Sequence, residues 1–265
     1  MRTEAEALAL KAELQGAKSL LVVGGGLIGL EVASVAAELG LKTTVIEIAP
    51  RILARVCDEE TSELIHERHR RAGVDIRLGT GATALQRLPN GGFEVDTNLG
   101  VAVTADLIVV GVGVIPEDRL AKSAGIAVQD GILVDDHCRT SDPAIFAAGD
   151  CTRFPSRRYG RQLRLECVQN AIDQAKTVAA AILGQPATYD PVPWFWSDQY
   201  EIKLQMAGLS DGYQSADTVG DRAQGRFSVE YRRDGRLTAV DAVNDGRAYM
   251  TGRRRIAQET DVLPV

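Results

Sequence analysis

Glycines at 24, 26 and 29 stand in the run Val23-Gly24-Gly25-Gly26-Leu27-Ile28-Gly29, a G-x-G-x-x-G spacing. That spacing suits a backbone that must meet a pyrophosphate. The first glycine permits a tight strand-to-helix turn, the second lets backbone approach the ligand, and the third lets helix and strand pack closely. A glycine-rich turn also serves purely structural ends, so the flanks decide. The motif follows the apolar run Ser19–Val23 and opens the amphipathic stretch Leu27–Leu39, and Glu47 comes 21 residues after Gly26. An acid there accepts hydrogen bonds from both hydroxyls of an adenosine ribose and repels a 2′-phosphate. The spacing predicts NAD rather than NADP, with Arg51 nearby as the opposing charge.

Other residues carry chemistry singly. Glu31 lies just past the last glycine in an apolar run, and two readings stand: a carboxylate near the nicotinamide end of a bound dinucleotide, or a first-turn acid favoured by the helix dipole. Gly113, in Gly111-Val112-Gly113-Val114-Ile115-Pro116, leaves room for a ligand at a sheet's carboxyl edge, although a plain turn accounts for it equally. Asp150 closes Thr140-Ser141-Asp142-Pro143-Ala144-Ile145-Phe146-Ala147-Ala148-Gly149-Asp150, where a strand ending in Gly-Asp presents a carboxylate to a sugar alcohol. His66 and His69, set among Glu67, Arg68, Arg70 and Arg71, predict a solvated helix face rather than a metal site. Cys57, Cys138, Cys151 and Cys167 form no C-x-x-C pair, which predicts structural thiols and no zinc or redox dithiol. No Ser-His-Asp or Cys-His arrangement is visible. Arg153, Arg157, Arg158, Arg161 and Arg164 have no acid among them, which reads either as a positive patch for an acidic partner or as an arginine-rich loop with none.

These residues need elements to hold them. Apolar runs at Ser19–Val23, Leu41–Ile48 and Ala105–Val112 read as buried parallel strands, and the stretches Leu27–Leu39 and Asp58–Arg71 as helices. Asp58, Glu59 and Glu60 sit where a helix N-terminus favours negative charge. The order β-α-β-α predicts a doubly wound α/β sheet. Between its parts, short strands at Val74–Leu78, Ala82–Leu88, Phe93–Thr97 and Val101–Thr104 predict a meander, turning at 90–92 and 98–100. Further on, strands are expected at Ile132–Val134 and Ala144–Ala148, a long helix over Glu166–Leu183, then strands alternating with turns and a basic last helix. Asp190-Pro191-Val192-Pro193 reads as a linker. The expected division is a lead-in helix over 1–15, a nucleotide-binding domain over 16–116, a second α/β piece over 117–189 and an α+β domain over 190–265.

The 265 residues are 45% hydrophobic and 25% charged, which excludes a disordered, collagenous or disulfide-stapled chain. No stretch approaches the roughly 20 apolar residues of a membrane helix, and acids stand where a signal peptide would be basic. A cytoplasmic protein without membrane contact is expected. The net charge of −6 divides into −8 over residues 1–150 and +2 over the rest. With 5% aromatic residues, this balance argues against a nucleic-acid partner.

Taken together, the motifs resemble a known family. TSDPAIFAAGDC resembles the second FAD-binding motif of flavoproteins with two dinucleotide-binding domains, and GGGLIGLEVA with VIEIAPR resembles their inserted NADH domain. The segment Trp194-Phe195-Trp196-Ser197-Asp198-Gln199-Tyr200 is similar to the flavoprotein ferredoxin reductases of bacterial oxygenase systems, the putidaredoxin reductase type. It argues against an NADH oxidase, disulfide reductase or nitrite reductase subunit of the same class.

The resemblance implies an NADH-binding domain inserted in an FAD-binding domain, followed by a small C-terminal reductase domain. It implies hydride transfer from NADH to FAD, then single electrons to a two-iron two-sulfur ferredoxin. By the same resemblance Arg2 contacts FAD, Asp150 bonds the ribityl chain, Val168 approaches the isoalloxazine, Trp196 lines the flavin pocket, and Glu31 tunes charge at the nicotinamide. Relatives carry an earlier G-x-G-x-x-G for the FAD pyrophosphate, and this sequence shows a single one. The expectation is therefore an incomplete FAD domain, with the other half supplied in trans or FAD not held at all. In the second case the chain is an NADH-binding module without redox activity. Residues 117–185 would then expose sheet edge and apolar surface.

Overall fold

The computed structural model describes residues 3–89 and 91–259; Arg2 lies outside them. The chain divides into two compact units. The first comprises Met1–Gly113, Ser197–Leu204 and Asp221–Val229; the second comprises Val114–Trp196, Gln205–Gly220 and Glu230–Val265.

In the first unit the elements are α1 (Glu4–Gly16), β1 (Ser19–Val23), α2 (Leu27–Glu38), β2 (Lys42–Glu47), α3 (Glu59–Arg71), β3 (Asp75–Leu78), β4 (Ala82–Arg87), β5 (Phe93–Thr97), β6 (Val103–Ala105) and β7 (Leu107–Val110). A parallel sheet of order β3-β2-β1-β7 forms the centre, and β4-β5-β6 make the antiparallel meander beside it. The unalternating apolar runs are explained by burial on both faces: Leu20, Leu21 and Val22 are almost fully enclosed. On one face Leu20, Val22 and Val45 pack with Ala33 and Ala36 of α2 and Leu14 of α1. Leu21 and Ile46 point to the other face, against Val95, Val103 and Ala105 of the meander. Each such leucine contributes about 1.5–3 kcal/mol by leaving water. Helix α1 starts on a capping box between Thr3 and Glu6, and α3 starts on Asp58, whose carboxylate accepts from the Glu60 and Thr61 amides.

Elements of the remaining chain are α4 (Arg119–Ser123), β8 (Ile132–Leu133), β9 (Thr152–Ser156), β10 (Arg161–Leu163), α5 (Val168–Ile182), β11 (Trp194–Gln199), β12 (Ile202–Gly208), β13 (Ser215–Asp221), β14 (Arg226–Arg233), β15 (Arg236–Val243) and α6 (Gly246–Gln258). A small sheet of order β10-β9-β8 surrounds a core of Val134, Cys138, Phe154, Leu163, Leu165 and Tyr189, and a five-stranded sheet runs β11-β12-β15-β14-β13. Helix α6 lays Tyr249 and Ile256 against Leu237, Val240 and Ala242.

Two expectations are corrected here. Ala144–Ala148 is not a strand: the segment makes a single bridge, Arg139 with Phe146, because Asp142 and Pro143 hold it in a turn. The strand role falls to β9 and β10, which Arg- and Pro-containing sequence concealed. The long helix begins at Val168 rather than Glu166. Among the described residues of 117–185, Leu120, Ile145, Val168, Ile172, Ile182 and Leu183 are exposed apolar side chains, and β8 and β10 are sheet edges.

Candidate functional site

Strand β1 ends where the backbone must turn sharply into α2, and the glycines meet that demand in three ways. Gly24 adopts φ of +110°, and a Cβ on it would stand 2.5 Å from the Gly111 carbonyl oxygen. A Cβ on Gly29 would stand 2.2 Å from the Gly24 carbonyl oxygen, so helix and turn touch only because both residues lack side chains. Gly26 differs: nothing lies within 4 Å of the place its Cβ would take. That open space faces a helix start with no side-chain cap, since Gly26 is itself the N-cap of α2. Uncapped amides with the positive end of the helix dipole make a site for an anion that backbone can approach closely.

Glu47 closes the other side. Its Oε2 accepts the Gly25 amide at 2.6 Å and its Oε1 accepts the Ala49 amide at 2.7 Å. The carboxylate thus ties the end of β2 to the glycine turn, with lone pairs left for a ribose. The Leu53 amide donates to the Gly25 carbonyl at 2.9 Å, bringing loop 49–58 onto the turn. Gly24, Gly26, Glu47, Arg55, Gly81 and Gly111 are among the residues lining a cleft of about 730 Å³ at the carboxyl edge of this sheet. Arg51 turns its guanidinium onto its own loop, donating to the carbonyls of Ala54 and Asp58 at 3.1 and 3.3 Å. Gly113 lies exposed beyond β7, with open space around it.

Glu31 is the fifth residue of α2, beyond the first turn, so the first-turn reading is set aside. Its Oε1 accepts the Ser197 hydroxyl at 2.6 Å. Burial holds its acidity below that of an ordinary glutamate, the Ser197 bond works the other way, and Asp198 adds to the burial effect. His69 corrects a second expectation: it is fully buried rather than on a solvated face, with Nε2 2.8 Å from Gln199 Oε1 and Nδ1 3.2 Å from the Tyr200 hydroxyl. The signal missed in the sequence was its position in α3: Ile65 and His69 are four apart on the face that turns inward.

Within the second unit, Asp150 follows Gly149, whose amide donates to Gln174 Oε1 at 2.7 Å; the Thr152 hydroxyl donates to the same oxygen at 2.8 Å. Buried Gln174 of α5 thereby fixes the turn that carries Asp150. Sequence reasoning passed over Gln174 and Thr152 because nothing in their spacing marks a buried polar pair. Val168 is exposed at the first position of α5, whose N-cap Cys167 makes no side-chain cap, and Trp196 is partly exposed, its ring 5.6 Å from that of Trp194. A turn bearing a half-buried carboxylate, an uncapped helix start with an exposed aliphatic residue and an exposed indole are the chemistry a polyol chain and a flat aromatic ring require, so these residues fit a flavin.

The arginine cluster is less positive than its sequence suggests. Arg153 pairs with Asp130 at 3.2 Å, Arg157 with Asp136, Arg161 with Asp211, Arg164 with Glu166, and Arg158 donates to the Ile256 carbonyl at 2.7 Å. No disulfide joins the four cysteines, and burial pushes the Cys138 thiol up to about 12, so it is no ready nucleophile. Among the described residues no cluster of three or more His, Cys, Asp or Glu could hold a metal, and no helix is long and apolar enough to cross a membrane.

Comparison with known proteins agrees with this geometry. The pyridine nucleotide-disulphide oxidoreductase family matches residues 1–175, and a reductase C-terminal family matches 194–265. The chain is 43% identical over 266 residues to the ferredoxin–NAD(P)(+) reductase of Sphingomonas sp, covering 100% of this chain and 64% of that protein. It is 41% identical over 275 residues to putidaredoxin reductase of Pseudomonas putida, covering 100% and 63%. The chain therefore spans less than two thirds of the length of these relatives. Among solved structures, the ferredoxin reductase from Rhodopseudomonas palustris superposes with a TM-score of 0.95 at 40% identity, covering 99% of this chain and 65% of that one. The covalent putidaredoxin reductase–putidaredoxin complex gives 0.92 at 40%, covering 97% and 62%. With the glycine turn, its trailing acid and a family match over most of its length, the chain belongs to the pyridine nucleotide-disulphide oxidoreductase family.

Proposed function

We propose that this chain serves an FAD-dependent NADH:ferredoxin oxidoreductase, passing a hydride from NADH to FAD and then single electrons to a two-iron two-sulfur ferredoxin that feeds an oxygenase. The observation that carries this reading is the uncapped start of α2, approached through the open side of Gly26 and flanked by Glu47, whose two oxygens are anchored on Gly25 and Ala49. One relative is named a ferredoxin–NAD(P)(+) reductase and another a putidaredoxin reductase, which supports the acceptor.

In this reading each residue has a task. The amides after Gly26 hold the NADH pyrophosphate, with Gly24 and Gly29 allowing the approach. Glu47 accepts the adenosine ribose hydroxyls and excludes a 2′-phosphate. Gly113 leaves space at the sheet edge, and Glu31 sets a negative charge beside the nicotinamide. Asp150 accepts from the ribityl chain, Val168 and Trp196 cover the ring system, and Arg2 adds a contact outside the described residues. FAD, when bound, supplies the conversion of a two-electron hydride into single electrons. The rest of the FAD site is contributed by a complementary half-domain, and the protein acts in the cytoplasm.

Absorbance in the flavin band tests the proposal. The chain, given FAD and passed through gel filtration with and without the first half of a relative's FAD domain, is expected to retain the yellow colour at least when that half is present. A protein that stays colourless in both cases while binding NADH would be a nucleotide-binding module without redox chemistry.

A further inference from the structure

Within the first unit an unbroken file of hydrogen bonds ends on Glu31, and its donors and acceptors run one way. Ser197 gives its single hydroxyl proton to Glu31 Oε1 at 2.6 Å, so its oxygen is free to accept, and it accepts Gln199 Nε2–H at 3.0 Å. The Gln199 carbonyl oxygen then faces His69 Nε2 at 2.8 Å. A carbonyl can only accept, so the imidazole proton belongs on Nε2. Nδ1 is left with a lone pair, and the Tyr200 hydroxyl donates to it at 3.2 Å. His69 is 0% exposed, and Ser197 and Gln199 are 1% each, so water does not compete for these bonds. Three elements contribute: α2 the carboxylate, β11 and its following turn the relay, α3 the imidazole.

We propose that Ser197, Gln199 and His69 are positioning residues that hold the Glu31 carboxylate in one orientation as the terminal acceptor of this file. The inference rests on the reading of Glu31 as the charge beside the nicotinamide. Loss of hydride turns a neutral dihydronicotinamide into a cation, and a carboxylate that cannot swing away favours that product. Around the file stand Asp198 on β11, Arg68 and His66 on α3, Glu38 on α2 and Glu201 in the turn; Arg68 lies over the Tyr200 ring at 3.8 Å and pairs with Glu201 at 2.7 Å. None of them replaces a donor in the file.

The wild-type chain gives the first test. Long-range ¹H–¹⁵N spectra are expected to show His69 neutral with its proton on Nε2; a proton on Nδ1 reverses the file and overturns the proposal. The second test follows the ¹³C carboxyl signal of Glu31 with pH. Ser197→Ala and Gln199→Met are each expected to shift its midpoint upward, and the double variant no further than Ser197→Ala alone, since the link is already cut. Additive shifts would mean mere packing and would overturn the inference. The third test compares NAD⁺ with NADH binding. Glu31→Gln is expected to weaken NAD⁺ relative to NADH by about fivefold, the size of one partly screened charge interaction, and Gln199→Met to move the ratio the same way. If Glu31→Gln shifts the ratio and Gln199→Met does not, the positioning role fails while the reading of Glu31 stands. If Glu31→Gln shifts nothing, the reading itself fails and the inference with it. Should Gln199→Met not fold, the wild-type tautomer and the single Ser197→Ala variant still decide.

Discussion

His69 shows how one buried titratable group sets a property of the whole chain. Burial makes it harder to protonate than an ordinary histidine, with Arg68 and His66 adding to that and the Gln199 bond opposing it. Its folded pKa is lowered, so the unfolded chain binds more protons in the window just below the ordinary value of 6.5. Stability from this group is full above that value and is lost as pH falls through the folded pKa. Melting temperature measured from pH 7.5 down to 5 is expected to drop below pH 6.5, and His69→Gln to flatten that part of the curve. An unchanged slope in the variant would place the pH dependence elsewhere. At this scale the sequence was partly legible. The glycine turn and the place of Glu47 beside it were readable because both follow from local spacing. His69 was misjudged because its partner Gln199 is distant in sequence, and the ion pairs of the arginine loop were not visible because Asp130, Asp136 and Asp211 lie outside the cluster that drew attention.

Among the elements, the turn between β1 and α2 carries the strongest expectations. Gly29→Ala places a Cβ 2.2 Å from the Gly24 carbonyl oxygen and 3.2 Å from Val22 Cγ1. A loss of about 1–3 kcal/mol in denaturant unfolding is expected, as for overpacked cores. Gly26→Ala meets no atom within 4 Å at a φ of −82°, so the fold should keep its stability while NADH binding falls at least about tenfold, as a methyl group pushes the pyrophosphate off the amides. Equal effects of the two variants on stability and binding would show that the turn is structural only. Strands buried on both faces and the helices between them were readable from unbroken apolar runs and caps such as Asp58. Ala144–Ala148 was not, because an apolar run bounded by Asp142 and Pro143 satisfies its backbone in turns. β9 and β10 carry arginines and Pro155, residues that do not advertise a strand.

For the molecule as a whole, the fold was legible because its order of strands and helices admits few arrangements. The grouping of Ser197–Leu204 with the glycine-turn unit was not, since the file from Tyr200 through His69 to Glu31 joins residues more than a hundred positions apart. The proposed chemistry requires that the cleft between the glycine turn and Glu47 be the NADH site. Titration of NADH and NADPH into the wild-type chain and into Glu47→Gln measures this directly, by nicotinamide fluorescence. Saturable NADH binding is expected, with NADPH at least about tenfold weaker from repulsion of its 2′-phosphate, and that preference largely lost in the variant. NADPH binding as tightly as NADH, or a preference that Glu47→Gln leaves untouched, would contradict that assignment of the site.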